Sequence, residues 1–367
     1  MRFSSFADPF RIYTLKEVLQ RISFPVTVDE NKLYYQIGIR SHSKGIFYKE
    51  AEIGKQIGNK RIFWIEPNCL ILNIVFAWEQ AVAKTSEKEV GMVASHRFPM
   101  YKVLNNSLDY IVDFFKTEKG KQLLQMASPG GAGRNKTLNQ DFFLNSKIYL
   151  PSLNEQLKTS ELIELIEDRI ETQIKIINDY KLLKKYITKS FIKQKGTSYL
   201  LSEIAELGRG RVISSAEISK QKNPIYPVYS SQTTNNGVMG YLDNYDYEGE
   251  HITWTTDGAN AGTVYYRNGK FNCTNVCGIL KIKNGYDAYY ISNILNCYTK
   301  KYVSTNLANP KLMNNVMANI KINLPSIERQ KYFSNILKAI EYRVKIEQDI
   351  KLNLAKQKVF LLKNMFL

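Results

Sequence analysis

The sequence predicts an α+β protein built twice over: two globular domains, each followed by a long α-helix, with the two helices packing on each other as a coiled coil. Three observations predict it. A segment near the middle of the chain is echoed close to the C-terminus. Each copy of that segment opens a stretch of about forty residues with helical period and no Pro or Gly. The runs upstream of each copy alternate like strands and are punctuated by turn residues. A fixed internal repeat means that one supersecondary plan is used more than once.

The echo is close. Leu150-Pro151-Ser152-Leu153-Asn154-Glu155-Gln156 returns as Leu324-Pro325-Ser326-Ile327-Glu328-Arg329-Gln330. Before the two copies lie Asn145–Tyr149 and Asn319–Asn323, each alternating like a short strand. Proline then opens each helix, where its missing N–H costs nothing. A fainter echo relates Tyr13–Val18 to Tyr199–Ile204, the expected entry to each globule. The boundaries that follow are a first globule over 1–149, a first helix over 150–196, a second globule over 197–324 and a second helix over 325–367.

The helices need partners. In the first, Ile163, Ile166, Ile170, Ile177, Tyr180, Ile187 and Phe191 hold a near-heptad spacing. In the second, Phe333, Leu337, Ile340, Val344, Ile350, Leu354 and Leu361 form a comparable stripe. Forty residues at 1.5 Å rise make a rod of about 60 Å. The simplest cover for each stripe is the other helix, and duplication makes the pair a spacer as well as a stabilising coiled coil.

Composition narrows the function. The 367 residues include 51 Lys and Arg against 34 Asp and Glu, a formal charge of +17. With 44% hydrophobic and 12% aromatic residues, the chain can bury real cores, which excludes the disordered class. Cys69, Cys273, Cys277 and Cys297 form no CxxC pair, and with only His42, His96 and His251 to complete a ligand set a structural zinc is not expected. The N-terminus lacks the apolar core of a signal peptide, and no apolar run is long enough to span a bilayer. A cytoplasmic protein with no membrane partner is the expectation. All four segments are net basic, at +7, +2, +3 and +5 in chain order. Such a surplus points to a polyanion, nucleic acid first and a membrane surface second.

Both globules carry loop chemistry suited to a nucleic acid. In the first, candidates are Arg40, His42 and Lys44 on a Gly-bracketed turn, Lys60 and Arg61, His96 and Arg97, and Arg134 and Lys136 in a Gly-rich loop. Arg and Lys reach guanine edges or phosphates, and glycine amides can cradle phosphate. In the second, Arg209 and Arg211 flank Gly210 and Lys311 follows Asn309-Pro310. Ser231, Gln232, Asn235 and Asn236 lie in one polar loop, and Thr255, Asp257 and Asn260 in another. Amides and hydroxyls read base edges, yet Asn-Gly and Asp-Gly also make plain hairpin turns. Trp64 and Trp78 read as core aromatics rather than base stackers.

No catalytic constellation survives inspection. Asn223-Pro224-Ile225-Tyr226 lacks the second proline of the adenine-methyltransferase tetrapeptide, and no glycine-rich loop for S-adenosylmethionine precedes it. Gly131-Ala132-Gly133 and Gly208-Arg209-Gly210 lack the third glycine of a dinucleotide fingerprint, and no P-loop is present. Neither a nuclease carboxylate cluster with lysine nor a nucleophile elbow is found.

The duplicated globule with its Leu-Pro-x-x-x-x-Gln helix entry resembles the specificity subunit of type I restriction-modification systems. Gln36–His42, Asn73–Lys84 and Gly130–Lys136 resemble one class of target-recognition domain in that family, and Tyr226–Gly237, Asp257–Gly262 and Val264–Tyr266 another. The resemblance implies a subunit without catalysis of its own, in which each globule reads one half of a split double-stranded DNA target. It implies that the helix pair, an antiparallel coiled coil with pseudo-two-fold symmetry, sets the separation and docks two methylation subunits, with nuclease-translocase subunits joining them. No cofactor is then expected in this chain; S-adenosylmethionine, ATP and Mg belong to the partner subunits. Two recognition modules on one rod gain affinity by bivalence. The second helix runs to Leu367, so a further terminal segment that closes a circle in some relatives is expected to be absent or minimal here. Two other readings stay open at this point: a coiled-coil protein adaptor, and a self-sufficient DNA-modifying enzyme.

Overall fold

The computed structural model describes residues 2–130, 136–192, 194–304 and 309–366. They divide into two compact units: residues 1–174 with 349–367, and residues 175–348. The division cuts across the long helices, because each globule packs on the near half of both.

In the first unit, strand Arg11–Thr14 pairs antiparallel with Lys147–Leu150. A single helical turn, Leu15–Val18, follows. Glu17 at its N3 position accepts the Thr14 backbone N–H at 2.6 Å, which fixes the entry. The main antiparallel sheet has the order Leu19–Ile22, Met100–Val103, Leu70–Leu72, Val82–Lys84. Helix Leu108–Lys116 covers it, and Leu70, Tyr101, Phe115 and Phe143 fill the space between. A smaller lobe holds the hairpin Ile37–Ile39 with Ile46–Tyr48 and the pair Ile62–Trp64 with Val93–Ser95.

The second unit repeats the frame and changes the filling. Thr197–Leu200 pairs antiparallel with Lys321–Leu324, and the turn Leu201–Ile204 follows, with Glu203 accepting the Leu200 N–H at 2.6 Å. Its main sheet is ordered Ala205–Arg209, Cys277–Ile282, His251–Thr255, Val264–Arg267. A second sheet, ordered Val238–Leu242, Tyr226–Tyr229, Lys270–Cys273, Tyr247–Glu248, contains a parallel pairing between its two middle strands. Trp254 is fully buried and donates from Nε1 to the Leu312 carbonyl at 2.9 Å. Glycine is required opposite it: a Cβ on Gly278 would lie 2.1 Å from the indole.

The echoed glutamines explain the frame. Gln156 donates to the Pro151 carbonyl at 2.9 Å and accepts the N–H of Ser107, the N-cap of helix Leu108–Lys116, at 3.0 Å. Gln330 donates to Pro325 at 2.8 Å and accepts the N–H of Asp287, the N-cap of helix Ala288–Tyr298, at 3.0 Å. Each glutamine ties a long helix to the cap of its globule's main helix.

The long helices are Leu153–Ile192 and Ile327–Met365. Within the second unit Lys184 pairs with Glu341 and Phe191 stacks on Phe333, so advancing along one helix means retreating along the other: the halves run antiparallel. Within the first unit Lys358 meets Glu167 at 2.5 Å. Ile163, Ile177, Phe333, Leu337 and Ile340 are buried, and Ile166, Ile170, Tyr180, Ile187, Val344, Leu354 and Leu361 half-buried. Ile350 is a correction. It is 36% exposed, whereas Glu347 is only 3% exposed. A 3.5-residue repeat started at Phe333 and Leu337 lands on Glu347 and Lys351, so the helical phase puts polar residues on the seam and an isoleucine outside it.

Candidate nucleic-acid interface

In the first unit, the hairpin turn carrying Arg40, His42 and Lys44 is locked by its backbone. His42 and Ser43 both have left-handed φ, 59° and 54°. Two such non-glycine residues in succession are uncommon and persist only where surroundings over-determine them. Here the His42 N–H donates to Glu79 at 2.6 Å and the Ser43 N–H to Gln80 at 3.0 Å. The side chains of Arg40, His42 and Lys44 are left exposed, with Arg40 above the Phe47 ring.

Lys60, Arg61, His96 and Arg97 are exposed. The His96 N–H donates to the Arg61 carbonyl at 3.2 Å, so residues distant in sequence become neighbours. Arg21, on the edge strand Leu19–Ile22, shares a cleft with Arg61 and His96. Sequence inspection passed over Arg21, since nothing but its charge marks it locally. Arg134 lies outside the described residues. Lys136 places its ammonium 5.0 Å from the centre of the Trp78 ring, a cation–π seat. Trp64 and Trp78 are half-buried rather than core residues.

In the second unit, carboxylates organise the cations. Asp257 accepts from Arg209 at 3.2 Å and lies 3.8 Å from Lys311. Arg211 makes a two-pronged pair with Glu217, at 2.6 and 3.1 Å, and meets Asp246 at 3.1 Å. That pairing holds the Glu217 carboxyl below the usual carboxylate range. The loop after Tyr229 turns on three successive left-handed residues, Asn235, Asn236 and Gly237. Ser231 and Gln232 are half-buried at its start, and Asn235 and Asn236 are exposed at its tip. Arg267 supports it from below. Only 3% exposed, it donates to the Asn236 carbonyl at 2.9 Å and to Thr253 at 3.2 Å, with its guanidinium 3.5 Å from the Tyr229 ring centre and 4.4 Å from that of Tyr265. No carboxylate pairs with it among the described residues, and burial holds its pKa below the ordinary arginine value.

Two expectations change. Thr253–Thr255 is strand rather than loop, and Thr255 is 1% exposed, so its hydroxyl presents nothing to a groove. The loop proper begins at Thr256, with Asp257 and Asn260 half-buried; the Asn260 carbonyl accepts from Thr263. Arg267 was absent from the sequence candidates, because a buried arginine without a nearby acid has no local signature.

Residues 195–356 match the type I restriction modification DNA specificity domain. A chain named as a type I specificity subunit of Mycoplasma pneumoniae is 37% identical over 199 residues, covering 53% of this chain and 82% of that one. The chain belongs to the family of type I specificity subunits. The specificity subunit of the type I restriction enzyme MpnII from the same organism is 42% identical over 146 residues, 39% of this chain and 43% of its own length. A crystal structure of the S subunit of a type I restriction-modification system from M. genitalium shares the fold, with a TM-score of 0.64, 13% identity and coverage of 100% and 98% of the two chains. A second structure, from work on complex assembly and conformational transition of a type I system, gives 0.63 at 14% identity, covering 97% of each chain. In this specificity subunit the second-globule candidates all fall inside the matched residues, and those of the first globule precede them. No helix among the described residues is long and apolar enough to cross a membrane.

Proposed function

We propose that this specificity subunit recognises a bipartite double-stranded DNA target, one half with each unit, and that the two halves differ in sequence. The observation that carries this reading is the contrast between frame and filling. Strand pair, one-turn helix and glutamine clamp occur in both units, whereas the sheets and loops mounted on them differ. One scaffold used twice with different surfaces suits two different half-sites. In the first unit, Arg40, His42, Lys44, Lys60, Arg61, His96, Arg97 and Lys136 would serve the DNA. In the second, Arg209, Arg211, Lys311 and the loop from Ser231 to Asn236 would do so, with lysines and arginines on phosphates and amides on base edges.

The long helices would set the gap between half-sites and dock partners. Leu165, Tyr186, Tyr332, Tyr342 and Val359 on them are more than 60% exposed, apolar area of the kind that marks interaction sites. Two methylation subunits and the nuclease-translocase subunits of a type I system are the proposed partners, bringing S-adenosylmethionine, ATP and Mg with them; catalysis would lie there. A protein-only adaptor leaves the basic loops of both units unexplained, and membership of the specificity family disfavours a self-sufficient enzyme. The test is single-molecule methylation sequencing of the host genome with and without this gene, leaving the rest of its locus intact. Loss of N6-methyladenine at one bipartite motif supports the proposal. An unchanged methylome with active partner subunits overturns it.

A further inference from the structure

Resting on the DNA-recognition reading, we infer that a cleft of about 240 Å³ in the first unit is a seat for one DNA phosphodiester, held by Arg21, Arg61, His96 and Gln140. Among the described residues its lining contains no carboxylate. The contrast within the same unit is sharp: a larger cleft of about 570 Å³ is lined by six carboxylates against four lysines and is net acidic.

Arg21 and Arg61 make no ion pair or side-chain hydrogen bond among the described residues. In the second unit, by comparison, Arg209 and Arg211 are held by acids. Two guanidiniums facing one cleft, with no acid between them among the described residues, repel each other, and an anion relieves that repulsion while taking their fixed fork of donors. Gln140 contributes in the same sense. Its Oε1 is occupied by the Tyr101 hydroxyl, which donates at 3.0 Å, leaving the Nε2 donors free. Arginines, imidazole and amide thus offer donors to the cleft, the chemistry of a phosphate receptor. The remaining wall includes Phe63 and Phe98, an apolar surface that suits the sugar of a diester better than a fully hydrated free phosphate. Only Arg61 and His96 among these four stood out in the sequence; the sheet adds Arg21 and helix Gln140–Asn145 adds Gln140.

The full chain has three histidines, so imidazole signals of the ¹⁵N-labelled protein report the cleft directly. Dimethyl phosphate is expected to move the His96 signal saturably, neutral trimethyl phosphate to leave it in place, and R21A/R61A to abolish the response. A His96 signal that stays still, that moves equally in the double variant, or that responds to acetate as it does to the diester overturns the assignment. On a random-sequence duplex, R21A/R61A is expected to lower the slope of log Kobs against log salt by about 0.9, the value for one phosphate contact. Lys119→Ala, at an exposed position of helix Glu118–Met126 outside the lining of the cleft, is expected to leave the slope unchanged. Wild-type binding with the same slope in R21A/R61A sinks the cleft and spares the DNA reading. A wild-type chain that answers dimethyl phosphate but binds no duplex, alone or with its partner subunits, sinks the DNA reading and leaves the cleft an anion site.

Discussion

The side-chain oxygen of Gln330 accepts the backbone N–H of Asp287 at 3.0 Å, joining the first turn of a long helix to the cap of the helix beneath it. Gln330 is 2% exposed; its bond to the Pro325 carbonyl is buried and its bond to the Asp287 N–H half-buried. Truncation in Gln330→Ala leaves the half-buried Asp287 N–H and the buried Pro325 carbonyl without this partner, at about 1–3 kcal/mol each. Chemical denaturation followed through the second unit is expected to show a loss of about 2–4 kcal/mol, and Gln156→Ala a similar loss in the first. A loss under about 0.5 kcal/mol in both would remove the glutamines from the frame.

Phe191 and Phe333 stack with ring centroids 3.6 Å apart, and both are buried. Phe333→Ala removes the ring from a seam that also rests on Leu337 and Tyr290, at an expected cost of about 3–5 kcal/mol. Leu352→Ala, on an exposed face of the same helix, is expected to change stability by less than about 0.5 kcal/mol. Thermal denaturation of the two variants side by side reads the difference.

Stability of the second unit should depend on pH through His251. Burial holds this imidazole below its ordinary value, so the folded state disfavours the proton that the unfolded chain takes up near pH 6.5. The contribution is therefore complete above that pH and is lost as pH falls through it towards the lowered folded value. Denaturation midpoints between pH 8 and pH 5, on the order of that window, should fall on the acid side, and His251→Phe should flatten this part of the profile.

Arg267 is the positioning residue of the loop from Ser231 to Gly237. Arg267→Lys keeps the charge but cannot lie flat between Tyr229 and Tyr265 while also reaching Asn236. Hydrogen exchange is expected to speed up across the loop by roughly tenfold, and discrimination between matched and mismatched duplex to fall with little change in salt slope. Unaltered exchange in the loop would show that Arg267 packs there without holding it.

Asp257 restrains Arg209 and Lys311 together. Asp257→Asn releases both cations towards the solvent, so binding to random-sequence DNA should tighten and its salt slope steepen by about 0.9 for each phosphate gained. Weaker non-specific binding would instead mean that the carboxylate poises the cations for contact.

The sequence was most legible where a structure depends on neighbours along the chain. The strand, Leu-Pro-Ser turn and helix echoed in both halves are all local, set by alternation, by a proline at a helix start and by a helical period free of Pro and Gly. The glutamine of the echo was visible, but its partners, Ser107 and Asp287, were not. The helix seam was misread at Ile350 because hydrophobicity marked it, whereas the phase inherited from Phe333 brought Glu347 inside.

By itself, then, the sequence determined that the chain is a duplication of globule and helix, basic throughout, with polar loops suited to DNA. Only the tertiary structure decided which of the charged residues act together. Arg21, Arg61, His96 and Gln140 are dispersed along the first globule, and sheet pairing and the packing of a short helix gather them around one acid-free cleft. Arg209, Asp257 and Lys311 are likewise assembled by strands and a loop that meet late in the chain. Local propensity acts over a few residues, whereas a charge receives its partners from long-range register, which a sequence carries but does not display.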